Sequence, residues 1–282
     1  SRAVGNTASM AEQTINRDDR VRYTIEGGVA DVRLSRPDKM NALDDAMFEA
    51  LVDVGVELAD NNQVRAVVLS GEGRAFCAGL DFGRFAEMKQ GKQRPMTERP
   101  PLGPAKAIAQ QAPYVWTYLP VPVIAAVHGV AFGGGMQIAL GADIRIAHPD
   151  TQLSLMEMKW GLVPDMTGTQ ALAGLVRRDL AKELVYTGKV IGGEEAAQIG
   201  LVTRTSDDPH AAALELAREI ASKSPHAVRQ AKSLMEKSGR VSLEEGFAAE
   251  QTAIRSLIGS ANQAEAVAAN LEKRAPNFTD VE

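Results

Sequence analysis

The chain has 282 residues, of which 45% are hydrophobic and 24% charged, a composition typical of globular proteins and unlike that of disordered chains. Its 31 Lys and Arg against 36 Asp and Glu leave a net charge of −5 without blocks of like charge, which argues against a broad nucleic-acid or anionic-membrane surface. A single cysteine, Cys77, excludes an intrachain disulfide and a multi-thiolate metal site, and the four histidines have no zinc-ligand spacing. We expect a cytoplasmic chain with no metal, no nucleic-acid partner and no membrane span, because its apolar runs are only strand-length.

The first part of the sequence predicts a hairpin followed by a helix. Residues 1–19 are polar and carry no sustained periodicity, so we expect this segment to be disordered. Residues 21–34 alternate on both sides of a Gly27-Gly28 turn, which predicts two antiparallel strands. Residues 44–61 repeat apolar side chains every three to four positions, with Asp44 placed to cap the resulting helix.

Strand and helix patterns then alternate. Strand patterns occupy residues 64–69, 122–127 and 144–147, and helix patterns begin after Gly79 and cover residues 136–142. This alternation favours one mainly parallel α/β core over residues 20–206. Residues 89–104, rich in Pro, Gly and charge, predict a mobile connector inside that core rather than a domain boundary.

From residue 207 onward the strand patterns stop. Residues 211–222, 225–238 and 242–271 have helical periodicity and Ala-rich faces. Such a region either folds back on its own core or meets a neighbouring subunit. Because its small residues permit close helix packing, we interpret residues 207–282 as a helical oligomerisation region.

Two turns place backbone N–H groups where an anionic atom could bind. Residues 75–81, Ala-Phe-Cys-Ala-Gly-Leu-Asp, lie between a strand and a helix pattern. Residues 128–135 end in three glycines that open a helix directly after a strand, where the helix dipole adds positive potential. Each turn alone would also fit an ordinary tight turn, and neither matches a nucleotide-binding motif.

These segments and four others resemble the crotonase superfamily, the enoyl-CoA hydratase/isomerase family, across residues 21–271. The matching segments occur in the family's order: RPDKMNAL at 36–43, AFCAGLD at 75–81, PVIAAVHG at 122–129, the triple glycine at 133–135, GLVP at 161–164 and AAQIGLV at 196–202. The resemblance implies an α/β fold built as a spiral of ββα units, with C-terminal helices that form a homotrimer or a dimer of trimers. It also implies acyl-CoA thioester substrates, with coenzyme A entering as part of the substrate and no other cofactor.

The resemblance also assigns site residues. It implies that the N–H groups of Leu80 and Gly134 form an oxyanion hole for the thioester carbonyl, and the loss of one such donor typically costs ~10²–10³ in rate. Further residues of the matched motifs are expected to bind the substrate: Arg36, Met40, Ala42, Ala78, Asp81 and Gln137. Arg36 and Lys39 suit the CoA phosphates, although both also fit ordinary solvated charges, and Asp81 also fits a helix cap.

The acidic residues decide the reaction. Hydratases of the family have a glutamate two positions after the triple glycine, where this chain has Gln137, and an amide cannot act as a general base. The family's second glutamate matches Glu157, which we expect to be desolvated by Met156, Met158 and Trp160, with a raised pKa.

Asp165 stands where hydratases usually have a glycine. It could cap the next helix, or act as a second acid as in dienoyl-CoA isomerases, although those enzymes also have an aspartate at the position of Gln137. Simple 3,2-enoyl-CoA isomerases use one glutamate matching Glu157. We therefore favour an isomerase using Glu157 and Asp165, with a 2-enoyl-CoA hydratase as the alternative and a thioester hydrolase or a non-catalytic acyl-CoA-binding protein as further options.

Three other kinds of residue carry less weight. His128 is interpreted as a packed structural residue and Cys77 as a small core residue. Trp116 and Tyr118 either line the acyl tunnel or only support it.

Overall fold

A seven-stranded sheet forms the central layer of the fold. The structure is a computed structural model that describes residues 14–92 and 99–282. In spatial order the strands of this sheet are β1 (Ile15–Arg17), β2 (Val21–Glu26), β3 (Val29–Leu34), β4 (Ala66–Gly71), β5 (Val123–Val127), β7 (Ile144–Ala147) and β10 (Arg204–Thr205). The first three strands pair antiparallel and the rest pair parallel, as the crossover pattern of the sequence predicts.

A second, smaller sheet extends from the first. It consists of β6 (Val130–Phe132), β8 (Gln152–Ser154) and β9 (Ile191–Gly192), with β6 and β8 parallel. Because β6 follows β5 after only two residues, the chain passes directly from the large sheet into the small one.

The helices cover the sheets and extend the chain beyond them. Their bounds are α1 Asp45–Ala59, α2 Phe82–Lys89, α3 Ile108–Tyr118, α4 Gly134–Leu140, α5 Gly168–Leu172, α6 Arg178–Thr187, α7 Gly193–Gln198, α8 Pro209–Ala221, α9 Pro225–Lys237, α10 Leu243–Leu257 and α11 Ala261–Glu272. Short 3-10 helices occupy Pro37–Lys39 and Met156–Trp160. Asp44 caps α1 as predicted, since its carboxylate accepts the N–H of Met47 at 2.9 Å. None of the helices within residues 14–92 and 99–282 combines the length and the hydrophobicity of a membrane-spanning segment.

The large sheet is buried on both faces, which explains its continuous apolar runs. In β4, Val67 and Leu69 belong to the main core, whereas Ala66 and Val68 face the cluster that includes α8. Helix α8 thus packs on the sheet, so the chain beyond residue 207 is in part a layer of the core.

Helix α9 is also fixed to the core. The buried ammonium group of Lys232 donates hydrogen bonds to the carbonyls of Trp116 (3.1 Å) and Val121 (2.9 Å) and pairs with Asp143 at 2.8 Å. The three oxygens satisfy the buried cation and hold α9 against the end of α3.

Two segments differ from the sequence-based prediction, and part of a third lies outside the described residues. The N-terminal segment is not unstructured up to residue 19, because Ile15–Arg17 pairs with β2; residues 1–13 lie outside the described residues. The predicted helical run over 242–271 is divided into α10 and α11, because Gly259 has φ +78° and Ser260 caps the second helix. Of the predicted connector 89–104, residues 93–98 lie outside the part of the chain that the structure describes.

Candidate active site

A cavity of about 940 Å³ lies beside the junction of the two sheets. Most of the predicted site residues line it: Met40, Ala42, Ala78, Leu80, Asp81, Gly134, Glu157 and Asp165. Gln137 and Arg36 do not line the cavity and lie behind the residues that do. Within residues 14–92 and 99–282, no three His, Cys, Asp or Glu side chains are grouped to hold a metal ion.

The first wall of the site is the turn at Gly79 and Leu80. The N–H of Leu43 donates to the carbonyl of Gly79 at 2.8 Å, and the N–H of Asp81 donates to the carbonyl of Leu43 at 3.0 Å. The intervening N–H of Leu80 donates to no other group among the described residues. It is therefore an available donor at the cavity wall.

The second wall is the start of α4. The N–H of Gly133 donates to the carbonyl of Ser154 at 2.8 Å, whereas the N–H of Gly134, at the first position of the helix, has no partner in the described part of the chain. The two turns touch, because a Cβ added to Gly79 would lie 2.6 Å from the carbonyl oxygen of Phe132 and 3.8 Å from the nitrogen of Gly134. With φ +90°, position 79 requires glycine for both reasons.

Glu157 is the buried carboxylate of the site, with 8% of its surface exposed. Its Oε1 accepts a hydrogen bond from Nε2 of Gln137 at 2.6 Å, and its Oε2 is buried without a hydrogen-bond partner. Burial raises the pKa of Glu157, and the negative charge of Asp165 raises it further. Position 133 lies against this carboxylate, since a Cβ there would be 3.3 Å from Oε1.

Gln137 is fully buried behind Glu157. While its Nε2 donates to Glu157, its Oε1 accepts the N–H groups of Met166 (2.9 Å) and Gly168 (3.0 Å). Both ends of this amide are thus engaged by protein groups.

Asp165 differs from Glu157 in being exposed and in making no hydrogen bond or ion pair within the described residues. It does not cap α5, whose N-cap residue is Thr167 with no side-chain cap bond. Of the two interpretations of Asp165, the cap is therefore wrong.

Arg36 contacts the protein rather than the cavity. Its guanidinium pairs with Asp81 at 2.7 Å and Asp44 at 3.5 Å and donates to the carbonyl of Ala42 at 3.1 Å. Asp81 caps α2, and the N–H of Gly83 together with Arg36 lowers the pKa of Asp81. The cations that do line the cavity are Lys39, Arg74, Lys92 and Arg84, the last of which pairs with Glu87.

An aromatic cluster at the cavity was not predicted. The ring of Phe85 lies 4.5 Å from that of Trp160 and 6.2 Å from that of Phe82, measured between centroids. Glu157 is desolvated as expected; of the three neighbours expected to cause this, Met156 and Trp160 line the cavity, whereas Met158 is exposed and does not. In the sequence, the spacing of Phe82 and Phe85 on α2 is a signal for this cluster. A pattern of two residues is too short to be distinguished from many surface patterns.

Four residues of lower weight lie outside the cavity lining. Trp116 is completely buried in the core and Tyr118 is exposed, so neither lines a tunnel. Cys77 is buried, which raises the pKa of its thiol to about 12. The Nε2 of His128 lies 2.8 Å from the carbonyl oxygen of Gly73 and joins two turns.

Comparison with known proteins gives consistent matches over nearly the whole chain. The family model described as Enoyl-CoA hydratase/isomerase matches residues 24–281. Enoyl-CoA hydratase domain-containing protein 2 of Mus musculus is 34% identical over 89% of this chain and 84% of its own length, and the methylglutaconyl-CoA hydratase of the same organism is 31% identical over 92% and 82%.

A solved structure shows the same architecture. The enoyl-CoA hydratase of Bacillus anthracis superimposes with a TM-score of 0.82 at 31% identity, covering 92% of this chain and 98% of that one. Its fold agrees with the α/β arrangement of the two sheets described above. With the family model covering more than nine-tenths of its residues, the chain belongs to the enoyl-CoA hydratase/isomerase family of the crotonase superfamily.

Proposed function

We propose that this chain is an enoyl-CoA isomerase that moves a carbon–carbon double bond, with Glu157 as the proton shuttle. The observation that carries the proposal is the carboxylate of Glu157, the one buried carboxylate that lines the cavity among the described residues, held on one oxygen by Gln137 and without a partner on the other. A base that takes a proton from one carbon and returns it to another needs one such oxygen facing the substrate. The raised pKa of Glu157 brings it closer to the operating pH of such a shuttle.

The thioester carbonyl is assigned to the two available amides. Removing a proton from an acyl-CoA places negative charge on the carbonyl oxygen, and preorganised donors stabilise that charge most effectively where water is excluded. The N–H groups of Leu80 and Gly134 line the same cavity as Glu157, and neither is engaged by the rest of the described chain. The CoA phosphates would then lie near Lys39 and Arg74, which also line the cavity.

The surroundings of Gln137 favour isomerisation over hydration. A hydratase that used Gln137 to orient water would need its amide at the cavity. Here the amide is fully buried, and both its oxygen and its nitrogen bond to protein groups. Gln137 is therefore not placed to hold a water beside Glu157, the buried carboxylate of the cavity lining.

Asp165 is assigned as a second acid for extended substrates. Its exposed carboxylate lines the same cavity as Glu157 and acts on it electrostatically. In a 3,5-dienoyl substrate the proton leaves and returns at carbons too far apart for one carboxylate, so Asp165 would deliver the proton at the distant carbon.

Hydration of 2-enoyl-CoA is the second candidate. It is favoured by the unpartnered Oε2 of Glu157, which could accept a hydrogen bond from water, and by the hydratase names of the relatives. In that case Glu157 or Asp165 would activate the water.

One assay separates the two reactions. The purified chain is incubated with 2-enoyl-, 3-enoyl- and 3,5-dienoyl-CoA while absorbance and product mass are followed. An isomerase moves the double bond without changing the mass. Efficient formation of a 3-hydroxyacyl-CoA, heavier by one water, would contradict the proposed function.

We also propose that α10 and α11 assemble the chain into a trimer or a dimer of trimers. Large apolar side chains on these helices are exposed: Leu243 by 77%, Phe247 by 61% and Leu271 by 79%. Such a face is typical of a subunit interface, and closed symmetry is the usual outcome. Light scattering should show three or six chains for the native protein and a smaller species for Phe247→Glu, whereas a native monomer at micromolar concentration would refute the proposal.

A further inference from the structure

The orientation of the Gln137 amide is fixed by the groups around it. Its Oε1 accepts two backbone N–H groups, from Met166 at 2.9 Å and Gly168 at 3.0 Å. An amide nitrogen cannot accept these bonds, so the opposite orientation would leave two buried N–H groups facing a donor. The NH₂ group must therefore point at Glu157, 2.6 Å away.

This orientation makes the two oxygens of Glu157 different. Oε1 always faces an N–H donor, so it remains an acceptor in both protonation states. Oε2 is buried and has no hydrogen-bond partner in the described chain. When Glu157 takes up a proton, that proton is therefore carried on Oε2.

The same amide holds the segment that bears Asp165. Met166 directly follows Asp165, and the two amides that bond to Gln137 flank Thr167, whose φ of +68° is unusual for a β-branched residue. A Cβ at position 168 would lie 2.8 Å from both Cγ and Oε1 of Gln137, so glycine is needed there. The nitrogen of the Gln137 side chain thus fixes the carboxylate of Glu157. Its oxygen fixes the turn next to Asp165.

From this geometry we infer that Gln137 is a positioning residue, which selects Oε2 of Glu157 as the proton-carrying atom and sets Asp165 relative to it. The inference rests on the proposed role of Glu157 as proton shuttle. It explains why glutamine suits this chain, because a glutamate at position 137 would present no N–H to Oε1.

Two variants remove the hydrogen bond that Gln137 donates to Glu157. Gln137→Glu keeps an oxygen that can accept from Met166 and Gly168 but replaces the donor to Glu157 with a like charge. Gln137→Met keeps a similar length and removes both functions. We expect kcat to fall by about 10²-fold in both, with KM changed little, and the acid limb of the kcat profile to move to higher pH, since ionised Glu157 loses a stabilising donor.

A buried glutamine outside the cavity gives the matched control. Gln111 is also fully buried, and its Nε2 donates to the carbonyls of Pro100 (3.0 Å) and Ala105 (3.2 Å). Gln111→Met should lower thermal stability as Gln137→Met does, yet leave the acid limb of the profile in place. A shift of that limb is therefore a readout that general destabilisation would not produce.

A measurement without turnover keeps this inference distinct from the proposed function. The carboxyl stretch of Glu157 can be titrated by infrared difference between each protein and its Glu157→Gln counterpart. Titration at higher pH in Gln137→Met than in the native chain supports the inference, whichever reaction the enzyme catalyses. An unchanged titration would overturn it, as would water addition by Gln137→Glu, which would show that position 137 reaches the cavity.

Discussion

Glu157 and Asp165, the two cavity carboxylates with proposed roles in proton transfer, differ in almost every physical respect. Glu157 is buried, tied through Oε1 to a fixed amide, and raised in pKa by its burial. Asp165 is exposed and bonded to nothing in the described chain. A buried, held carboxylate exchanges protons at a defined point, whereas an exposed one can follow a substrate but keeps its ordinary hydration. We conclude that Glu157 suits the proton transfer common to all substrates. Asp165 suits a further proton transfer that only some substrates need.

The largest expected effect comes from removing the buried base. Glu157→Gln keeps the volume and can still accept the hydrogen bond of Gln137, but it cannot take a proton. We expect kcat to fall by about 10²–10⁴-fold with CoA-ester affinity nearly unchanged, measured by steady-state kinetics and by calorimetry. Glu26→Gln, an exposed change at the end of β2, is the control. Activity within a few-fold of the native enzyme would remove Glu157 from the mechanism.

Asp165→Asn should have a smaller effect that depends on the substrate. Turnover of a 3,5-dienoyl-CoA should fall by about 10²-fold, whereas turnover of a 3-enoyl-CoA should change little, because a single base suffices there. Asp150→Asn, which changes an exposed aspartate outside the cavity, should affect neither. Equal losses on both substrates would mean that Asp165 takes part in the common step.

A moderate effect on pH dependence follows from the raised pKa of Glu157. The ionised form is the base, so kcat should fall as pH decreases through a value above 4.5, the ordinary value for glutamate. Asp165→Asn removes a nearby negative charge and should move this limb toward lower pH. A limb that stays in place would show that Asp165 does not influence Glu157.

The burial of Glu157 should also affect the stability of the fold. Ionised Glu157 is the active base in catalysis, but it is the less favourable form for folding. Because Glu157 binds its proton more tightly when folded, its protonated form stabilises the chain below pH 4.5, and this contribution is lost as pH rises through the folded pKa. Glu157→Gln should therefore raise the melting temperature by a few degrees at pH 8, where ~1 kcal/mol corresponds to about 2–4 °C for chains near this size. The gain should vanish near pH 4. A variant less stable than the native protein at both pH values would contradict this account.

The smallest expected effect tests whether Met158 contributes to the burial of Glu157. Met158 is exposed and does not line the cavity, so Met158→Gln should leave both kcat and the acid limb unchanged. A shift of the limb would restore the methionine as a cause of the raised pKa.

The sequence predicted the elements well because their signals are local. The hairpin around Gly27, the cap at Asp44 and the helix opened by the triple glycine all follow from neighbouring residues. The divided helix after residue 257 was missed because Gly259 interrupts an apolar repeat that otherwise continues.

Residues of the site were predictable only where they stand in recognisable sequence motifs. Glu157 and Leu80 stand in recognisable segments, and both line the cavity. The enclosure of Gln137 by Met166 and Gly168 was not predictable, since it joins residues about 30 positions apart through side-chain direction. For the same reason Arg36 was expected at the substrate, although three-dimensional packing pairs it with Asp81.

The contact between the two glycine turns has a consequence for the order of folding. A Cβ at Gly135 would lie 2.3 Å from the carbonyl oxygen of Cys77, and one at Gly79 would lie 2.6 Å from that of Phe132, so the two turns are in close contact although more than 50 residues separate them. Contacts of such long range require loop closure and form after local hairpins and helices. The amides of Leu80 and Gly134 therefore face one cavity only while this long-range contact is formed. Mild denaturant should accordingly abolish turnover at concentrations where the β2–β3 hairpin is still intact.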